Sequence, residues 1–159
     1  MDEPQGSPPT AETAQRLSVA ITRLRSRLRV EAGTTRTGLS ISQLAVLRRI
    51  LNEGPVTAAY LAGVEHVTPQ SIAQNVTALK DAGLVQTERD PNDGRKTLIS
   101  AKPSGGELLR TLEASRKAWL TRAIDALVGP EERDNLDKTI QLLERLAAAD
   151  LDSEREENL

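Results

Sequence analysis

Aliphatic residues recur at helical spacing along most of this chain. Between Glu12 and Ala32 every third or fourth residue is aliphatic and arginines occupy many of the other positions, which predicts an amphipathic helix. Thr10 is a candidate for the N-cap of this helix. The chain is expected to leave the helix at Gly33 and to run as a loop to Gly38. The apolar stripe of the helix consists of Leu17, Ile21, Leu24 and Leu28.

A second helix is predicted to begin after Ser40. Gln43 follows Ser40 by three residues, which is the spacing of a capping box, where each residue hydrogen-bonds the backbone of the other. Aliphatic residues continue at helical spacing from Ile41 to Leu51, and Gly54-Pro55 then ends the segment. Val56 is predicted to make a short strand contact.

Two shorter helices are predicted next. Thr57 is expected to cap a helix from Ala58 to about Val64. Thr68 is expected to cap the following helix, because Pro69 comes directly after it and a proline at the first helical position gives up no hydrogen bond. Gly83 is a typical C-terminal stop. The inward stripe of this helix, called the Thr68 helix below, is predicted to be Ile72, Val76 and Leu79.

The pattern changes from helical to extended after the Thr68 helix. Residues 84–89 and 96–101 read as two strands. Between them lies Asp90-Pro91-Asn92-Asp93-Gly94-Arg95, whose residue types favour a tight turn. The sequence therefore predicts a β-hairpin in an otherwise helical chain.

Two further helices complete the predicted fold. One runs from Pro103 to about Val128, and Gly105-Gly106 is expected to weaken its first turn. The other runs from Glu131 to about Ala149, after a break at Gly129-Pro130. The fold class is mainly α with a small β-hairpin wing, that is, a winged helix-turn-helix joined to a helical dimerisation region.

Composition removes most enzyme chemistries. The 159 residues include no cysteine and one histidine, which excludes disulfides, thiolate nucleophiles and multi-histidine metal sites. The Gly-x-Ser-x-Gly motif of hydrolases is also absent. We therefore expect no catalytic residue, no metal and no cofactor. An enzyme would have to use His66 with Glu65 or Glu88, and this is the weakest of the functional alternatives.

The chain is not expected to associate with a membrane. No stretch approaches the ~20 apolar residues that span a bilayer. The first residues, Met1-Asp2-Glu3-Pro4, are acidic and do not resemble a signal peptide. A cytoplasmic location is therefore expected.

Charge is segregated along the chain. The formal net charge is only −2, but residues 15–50 hold eight arginines and one acid, a local net charge of +7. Residues 130–159 hold ten acids and four bases, a local net charge of −6. An acidic average is therefore weak evidence against nucleic-acid binding.

The middle third of the chain has the element order of a winged helix-turn-helix, in which one helix enters the major groove of DNA. The outer face of the Thr68 helix carries short uncharged side chains instead of the Glu and Lys of an ordinary solvated helix. Glutamine and asparagine bond adenine edges, and serine and threonine suit several bases. The candidate major-groove residues are Thr68, Gln70, Ser71, Gln74, Asn75 and Thr77.

The hairpin turn carries a second candidate contact. Arg95 and Lys96 project two cations from an Asp-Gly turn, and arginine suits the concentrated negative potential of a narrow minor groove. Asp93 is expected to orient the Arg95 guanidinium through a charge-assisted hydrogen bond. The Thr68 helix and this turn fit one groove each, which makes the combination more specific than either part.

These segments resemble the MarR (multiple antibiotic resistance regulator) family of bacterial transcription factors. The match rests on Thr57-x-x-x-Leu61-Ala62, on residues 67–72, on Gly83-Leu84-Val85 and on the turn from Arg89 to Arg95. The resemblance implies a dimeric DNA-binding regulator, more often a repressor than an activator. It supports base contacts by Gln70, Ser71 and Gln74, and minor-groove entry by Arg95.

Composition and the resemblance, which covers about residues 12–149, together predict five segments. Residues 1–11 form a tail, 12–38 an N-terminal dimerisation helix, and 39–102 the winged helix-turn-helix lobe. Residues 103–149 form the C-terminal dimerisation helices, and 150–159 an acidic, frayed tail.

A homodimer is expected from the residues as well. The predicted long helix extends roughly 39 Å at 1.5 Å per residue, so its distal apolar face needs a partner, and a second copy is the simplest one. A two-fold axis would then set two DNA-reading helices one DNA turn apart on a pseudo-palindrome. The predicted interface residues are Leu17, Ile21, Leu24, Trp119, Leu136, Ile140 and Leu143.

An effector pocket is predicted between the first helix and the long helix. In many members of the family a small aromatic anion binds near this boundary and weakens DNA binding. Arg16, Arg23 and Arg27 provide cations beside aliphatic side chains, which is what an aromatic carboxylate requires. The alternative is that these arginines are only solvated.

One other function class remains open at this level. Winged helices also bind proteins without contacting DNA. Such an interaction module would carry an apolar or acidic face on the Thr68 helix, and this chain carries a neutral polar one.

Overall fold

The structure is a computed structural model that describes residues 9–150. Six α-helices, one 3-10 turn and three strands are present in this part of the chain. In order they are α1 (Thr10–Glu31), the 3-10 turn (Thr34–Thr37), α2 (Ile41–Glu53), β1 (Val56–Thr57), α3 (Ala58–Val64), α4 (Pro69–Asp81), β2 (Val85–Arg89), β3 (Thr97–Ala101), α5 (Pro103–Leu127) and α6 (Pro130–Ala148). Most of the two predicted tails lies outside the described residues.

The described chain divides into two compact units. The first ends at Trp119 and the second begins at Leu120. No described helix is both long enough and apolar enough to cross a membrane. The mainly helical fold with a hairpin is the predicted fold class, and the Thr68 helix is α4.

The three strands form one antiparallel sheet in the order β1-β3-β2. Val56 pairs with Ile99, which confirms the short strand contact expected at Val56. The hairpin of β2 and β3 runs in register from Val85 opposite Ala101 to Arg89 opposite Thr97.

Aliphatic side chains from α2, α3, α4 and the sheet form the core of the first unit. This unit holds the only core cluster found in the described part of the chain, and it contains no aromatic residue. Its most deeply buried side chains are Leu47, Ile50, Leu61, Ile72, Leu79 and Val85. Burial of Ile72 and Leu79 fixes the inner face of α4 and therefore which residues point outward.

The predicted caps of the lobe are confirmed. Ser40 accepts a hydrogen bond from the Gln43 N–H, and the Gln43 side chain accepts one from the Ser40 N–H. The Thr57 hydroxyl caps α3, and the Thr68 hydroxyl accepts the Ser71 N–H at 3.2 Å. These caps depend on residues three positions apart, so local sequence is enough to specify them.

The start and end of α1 differ from the prediction. Thr10 is the first residue of the helix and not its cap, because the Pro9 carbonyl accepts the N–H groups of Glu12 and Thr13. The expected loop after α1 is a 3-10 turn. Gly33 and Gly38 flank this turn with φ angles of 74° and 70°, a left-handed conformation that glycine adopts without steric cost.

The start of α5 is packed tightly against the end of α4. The Ser104 hydroxyl donates to the Gly83 carbonyl at 2.7 Å, and the Lys102 N–H donates to the Leu84 carbonyl at 2.9 Å. Gly105 is buried at this junction. The sequence predicted only a weak first turn at Gly105-Gly106, whereas the structure uses Gly105 for a close approach.

Candidate nucleic-acid interface

The outer face of α4 carries the predicted DNA-reading side chains. Gln70, Gln74 and Thr77 are exposed, while Ser71 and Asn75 are half-buried. Within residues 9–150, neither glutamine side chain has a hydrogen-bond partner, so both side-chain amides are available to an external ligand. The face is uncharged from Gln70 to Thr77, and the exposed Lys80 and Asp81 add one cation and one acid at the helix C-terminus.

Three hydroxyl groups of the predicted set already make hydrogen bonds within the helix. The Thr68 and Ser71 hydroxyl oxygens lie 2.9 Å apart, and the Thr77 hydroxyl donates to the Ala73 carbonyl at 2.9 Å. These bonds fix the rotamers of the three side chains. The exposed side chains of Gln70 and Gln74 make no such bond within the described part of the chain.

The turn between α3 and α4 is held by its own contacts. His66 has a φ of 52°, a left-handed conformation unusual for a residue with a side chain. The Val67 N–H donates to the Ala62 carbonyl at 3.1 Å. His66 is exposed and lies two residues before Thr68, the cap of α4, a place that suits a turn residue better than a catalytic one.

A polar network that the sequence pattern did not predict braces this turn against α2. Arg49 donates to Glu53 at 2.8 Å and to Glu65, the last residue before His66, at 3.0 Å. Arg49 and Glu53 stand four residues apart on one helix, which is a recognisable signal. The contact with Glu65 depends on the folded chain.

The network shifts the pKa values of its members. The Tyr60 hydroxyl, and secondly the Arg49 guanidinium, donate hydrogen bonds that lower the pKa of Glu53 below its usual 4.5. The same hydrogen bond to Glu53 raises the pKa of Tyr60 above 10.0. Both shifts favour the charged carboxylate and the protonated phenol, so the contact links α2 with α3 at neutral pH.

The wing turn is held by its aspartates. The Asp90 carboxylate accepts the Asn92 N–H at 2.8 Å, and the Asp93 carboxylate accepts the Arg95 N–H at 3.1 Å. The other Asp93 oxygen lies 3.7 Å from the Lys96 ammonium. Asp93 thus orients the backbone of Arg95 and pairs with Lys96.

This arrangement corrects one prediction. The expected hydrogen bond from the Arg95 guanidinium to Asp93 is absent from the described residues. The physical reason is the tight turn, which aims the Asp93 carboxylate at a backbone N–H two residues ahead. The Arg95 side chain is exposed at the tip, and its guanidinium donors have no partner among residues 9–150.

The three arginines of the predicted effector pocket do not come together. Arg16 and Arg23 line an open groove of about 660 Å³ whose walls all belong to α1, between Thr13 and Arg23. Arg27 forms an ion pair with Glu31 at 2.7 Å and lies over the Trp119 ring, 5.8 Å from its centroid. Of the three, Arg27 alone contacts the long helix within residues 9–150, because its guanidinium reaches the face of the Trp119 ring.

Two other arginines carry a signal that the sequence did not reveal. The Nε atoms of Arg29 on α1 and Arg116 on α5 are buried and have no hydrogen-bond partner in the described chain. Buried polar groups normally have a partner. These two N–H donors are therefore candidates for an anionic ligand.

The predicted dimer-interface residues remain partly uncovered in the single chain. Neither α1 nor α6 contains a buried residue. Ile21 and Leu24 on α1 are 47% and 49% exposed, and Ile140 on α6 is 42% exposed. The half-buried members of the set are Leu17, Trp119, Leu136 and Leu143.

Comparison with known proteins identifies related regulators. A model of the MarR family matches residues 37–96. An HTH-type transcriptional regulator of Mycobacterium leprae is 35% identical over 133 residues, covering 84% of this chain and 91% of the relative. An HTH-type transcriptional repressor of Mycobacterium tuberculosis is 28% identical over 108 residues, covering 68% of this chain and 78% of that protein.

A solved structure supports the same assignment. A Pseudomonas aeruginosa protein named as a transcriptional regulator is 31% identical and superposes with a TM-score of 0.78. The match covers 91% of this chain and 99% of that chain. The named relatives are transcriptional regulators, a class whose members are not enzymes.

Proposed function

This chain belongs to the MarR family of transcriptional regulators, and from that premise we propose that it is a repressor that binds a pseudo-palindromic operator in double-stranded DNA. The observation that carries the proposal is the uncharged stretch of the outer face of α4 from Gln70 to Thr77. Gln70 and Gln74 present two unpartnered amides there, and an amide can bond adenine N6 and N7 at once. The relative named as a repressor favours repression.

The operator-bound form is a homodimer in this proposal. Two helices support it, because α1 and α6 each have an apolar stripe and no buried residue. Burial of such side chains stabilises association by roughly 25 cal/mol per Å². A two-fold axis would place two copies of α4 about 34–36 Å apart, one turn of DNA.

The proposed release signal is a small aromatic or other anionic ligand. The buried, unpaired Nε donors of Arg29 and Arg116 support an anion, as does the groove beside Arg16 and Arg23. Such a ligand must bind more tightly to the conformation whose α4 helices are mis-spaced for DNA. Only a difference in affinity between the two conformations shifts their populations.

Selection of bound genomic fragments tests the DNA-binding proposal directly. The protein is expected to enrich fragments that share a two-fold related motif and to shift them in a gel against excess random DNA. A variant with both Gln70→Ala and Gln74→Ala is the control, because it keeps the net charge and should lose the enrichment. An absence of enrichment by the wild-type protein at low salt would favour the protein-interaction module instead.

The effector proposal has a separate test. Salicylate-like anions are titrated while thermal stability and operator release are followed. Stabilisation together with release is the expected result, and Arg116→Met should weaken both. Stabilisation without release would mean that binding is not coupled to DNA, and no response would indicate a constitutive repressor.

A further inference from the structure

Arg89, at the end of β2, lies on the face of the hairpin that packs toward α4. Side chains alternate along a strand, so Arg89 shares its face with Thr87 and with buried Val85. The Thr87 hydroxyl accepts a hydrogen bond of 3.2 Å from Lys80 Nζ of α4. This bond identifies the face of β2 that is turned toward the reading helix.

The pairing of β2 with β3 shows where this face of the hairpin stops being buried in the core. Thr87 pairs with Ile99, which is buried, whereas Arg89 pairs with Thr97, which is exposed. Directly opposite residues of an antiparallel pair share one face. Arg89 therefore lies about 7 Å along the strand from Thr87, past the edge of the core and toward the wing turn.

The guanidinium of Arg89 has no partner in the described part of the chain, and the side chain is exposed. Three of the six other cations in residues 39–102 are already paired with carboxylates. These pairs are Arg48 with Glu113, Arg49 with Glu53 and Glu65, and Lys96 with Asp93. No intramolecular ion pair therefore accounts for the cation at position 89.

One strand of the DNA backbone separates a major groove from the adjacent minor groove. If α4 occupies the major groove and the wing tip the minor groove, that strand must pass between them. The α4-facing side of the hairpin, before the tip, is the side that meets it. A cation there faces phosphate oxygens and not base edges.

We propose that Arg89 binds a backbone phosphate between the two grooves and thereby positions the wing relative to α4 on DNA. The inference rests on the proposed DNA binding and adds to it a contact that reads no sequence. The guanidinium fork suits phosphate because it donates two parallel hydrogen bonds. Lys80, on the same side, is held by Thr87 at the α4 end of this path.

The dependence of operator affinity on salt tests the assignment. Each neutralised phosphate contributes a slope of about −0.9 in log affinity against log salt. A dimer has two copies of Arg89, so Arg89→Ala should make the slope shallower by about 1.8. The ratio of affinities at 50 mM and 200 mM salt should then fall about 12-fold. Arg89→Gln should give the same result, and Arg89→Lys should restore most of the slope.

A charge-matched control and a second DNA complete the design. Arg122→Ala removes an exposed cation from α5 and should leave the slope unchanged. Arg89→Ala should weaken binding to the operator and to random DNA by similar factors, since a phosphate contact reads no sequence. Light scattering and thermal unfolding verify that each variant keeps its assembly and fold.

The outcomes separate the two levels of the proposal. Operator binding by the wild-type protein with an unchanged slope in Arg89→Ala would overturn the role of Arg89 and leave the repressor proposal standing. A loss confined to the operator would also overturn it, because that result indicates base reading. Failure of the wild-type protein to bind any DNA would remove the repressor proposal itself.

Discussion

Gly105 lies directly against the backbone carbonyl of Leu84. A Cβ atom added at Gly105 would come within 2.6 Å of that oxygen and within 3.0 Å of the Leu47 side chain. Main-chain atoms cannot rotate away as a side chain does, so the contact requires glycine. It joins the first turn of α5 to the residue where α4 gives way to β2.

The first prediction is that Gly105→Ala destabilises the protein, although alanine is the better helix former. Overpacking a buried site costs about 1–3 kcal/mol, which exceeds the gain of about 1 kcal/mol in helix propensity. Urea unfolding should show a lower midpoint with an unchanged slope. Gly106→Ala is the matched control, because its nearest neighbour is the flexible Leu51 side chain at 3.4 Å. Equal effects of the two substitutions would contradict the prediction.

This contact shows which parts of the fold local sequence can predict. The caps at Ser40, Thr57 and Thr68 were predicted correctly because their donors and acceptors lie within four residues. The role of Gly105 was not, because Leu84 is 21 residues away in sequence and meets it only in the folded chain. The composition of the first turn suggested weakness where the tertiary packing required a small residue.

The candidate site shows the same division. Helical spacing predicted the outer face of α4, since burial of Ile72 and Leu79 leaves the glutamines outside. The contacts of Asp93 and Arg27 depend on side-chain rotamers and on a second element. Charge pairing alone predicted that Asp93 accepts a hydrogen bond from the Arg95 guanidinium, whereas it accepts one from the Arg95 backbone N–H.

The second prediction concerns the stability of the Glu53 network against pH. The folded-state pKa of Glu53 lies below its unfolded value of 4.5. Its contribution to stability is therefore present above pH 4.5 and is lost as pH falls through the folded pKa. The facing groups are Arg49, which stays charged, Tyr60 and Glu65. Glu53→Gln should unfold with a weaker dependence on pH in the acid range.

The Tyr60 phenol of the same network predicts a loss of stability at alkaline pH. The folded pKa of Tyr60 is raised above 10.0, so its contribution is present below pH 10 and is lost as pH rises through the folded pKa. Tyr60→Phe should remove this alkaline loss and should also reduce the acid dependence, because Glu53 loses its largest hydrogen bond. An unchanged acid limb in Tyr60→Phe would show that the hydroxyl does not stabilise the carboxylate.

The third prediction concerns the wing. Arg95→Ala should weaken operator binding by about 1–3 kcal/mol while the fold persists, because the substitution removes an unpaired cation from the tip of a rigid turn. Asp93→Ala should cause part of that loss, since the Arg95 N–H loses its acceptor. Asp93→Asn keeps an oxygen acceptor for that N–H and should bind nearly as the wild type does. Equal losses in the two Asp93 variants would indicate that its charge matters in the complex.

The fourth prediction is that Gln74→Ala alters sequence preference more than nonspecific affinity. A neutral amide can bond base edges but releases no counterion, so the salt slope should stay nearly constant. The measurement compares operator and random DNA at several salt concentrations. Asn75→Ala, at a half-buried position of the same helix, provides a comparison. Equal loss on both DNAs would reassign Gln74 to the backbone.

The fifth prediction is a homodimer of about 34 kDa, twice the chain mass of 17.2 kDa. The motivation is the apolar stripe of α1, which no part of the described chain covers completely. Leu24 of this stripe is 49% exposed, and α1 contains no buried residue. Leu24→Glu would bury a carboxylate in the dimer, which is costly without a partner, so light scattering should show monomers at micromolar concentration. Ser26→Glu adds the same charge on nearly the opposite side of the helix, two residues or about 200° around, and should remain dimeric. A monomeric wild type would contradict the prediction. Monomers in both variants would show that the added charge, and not the apolar stripe, causes the effect.

The dimer also determines how operator binding responds, because a monomer presents one α4 to one half-site and loses the second set of contacts. Leu24→Glu should therefore weaken operator binding far more than it weakens binding to a single half-site.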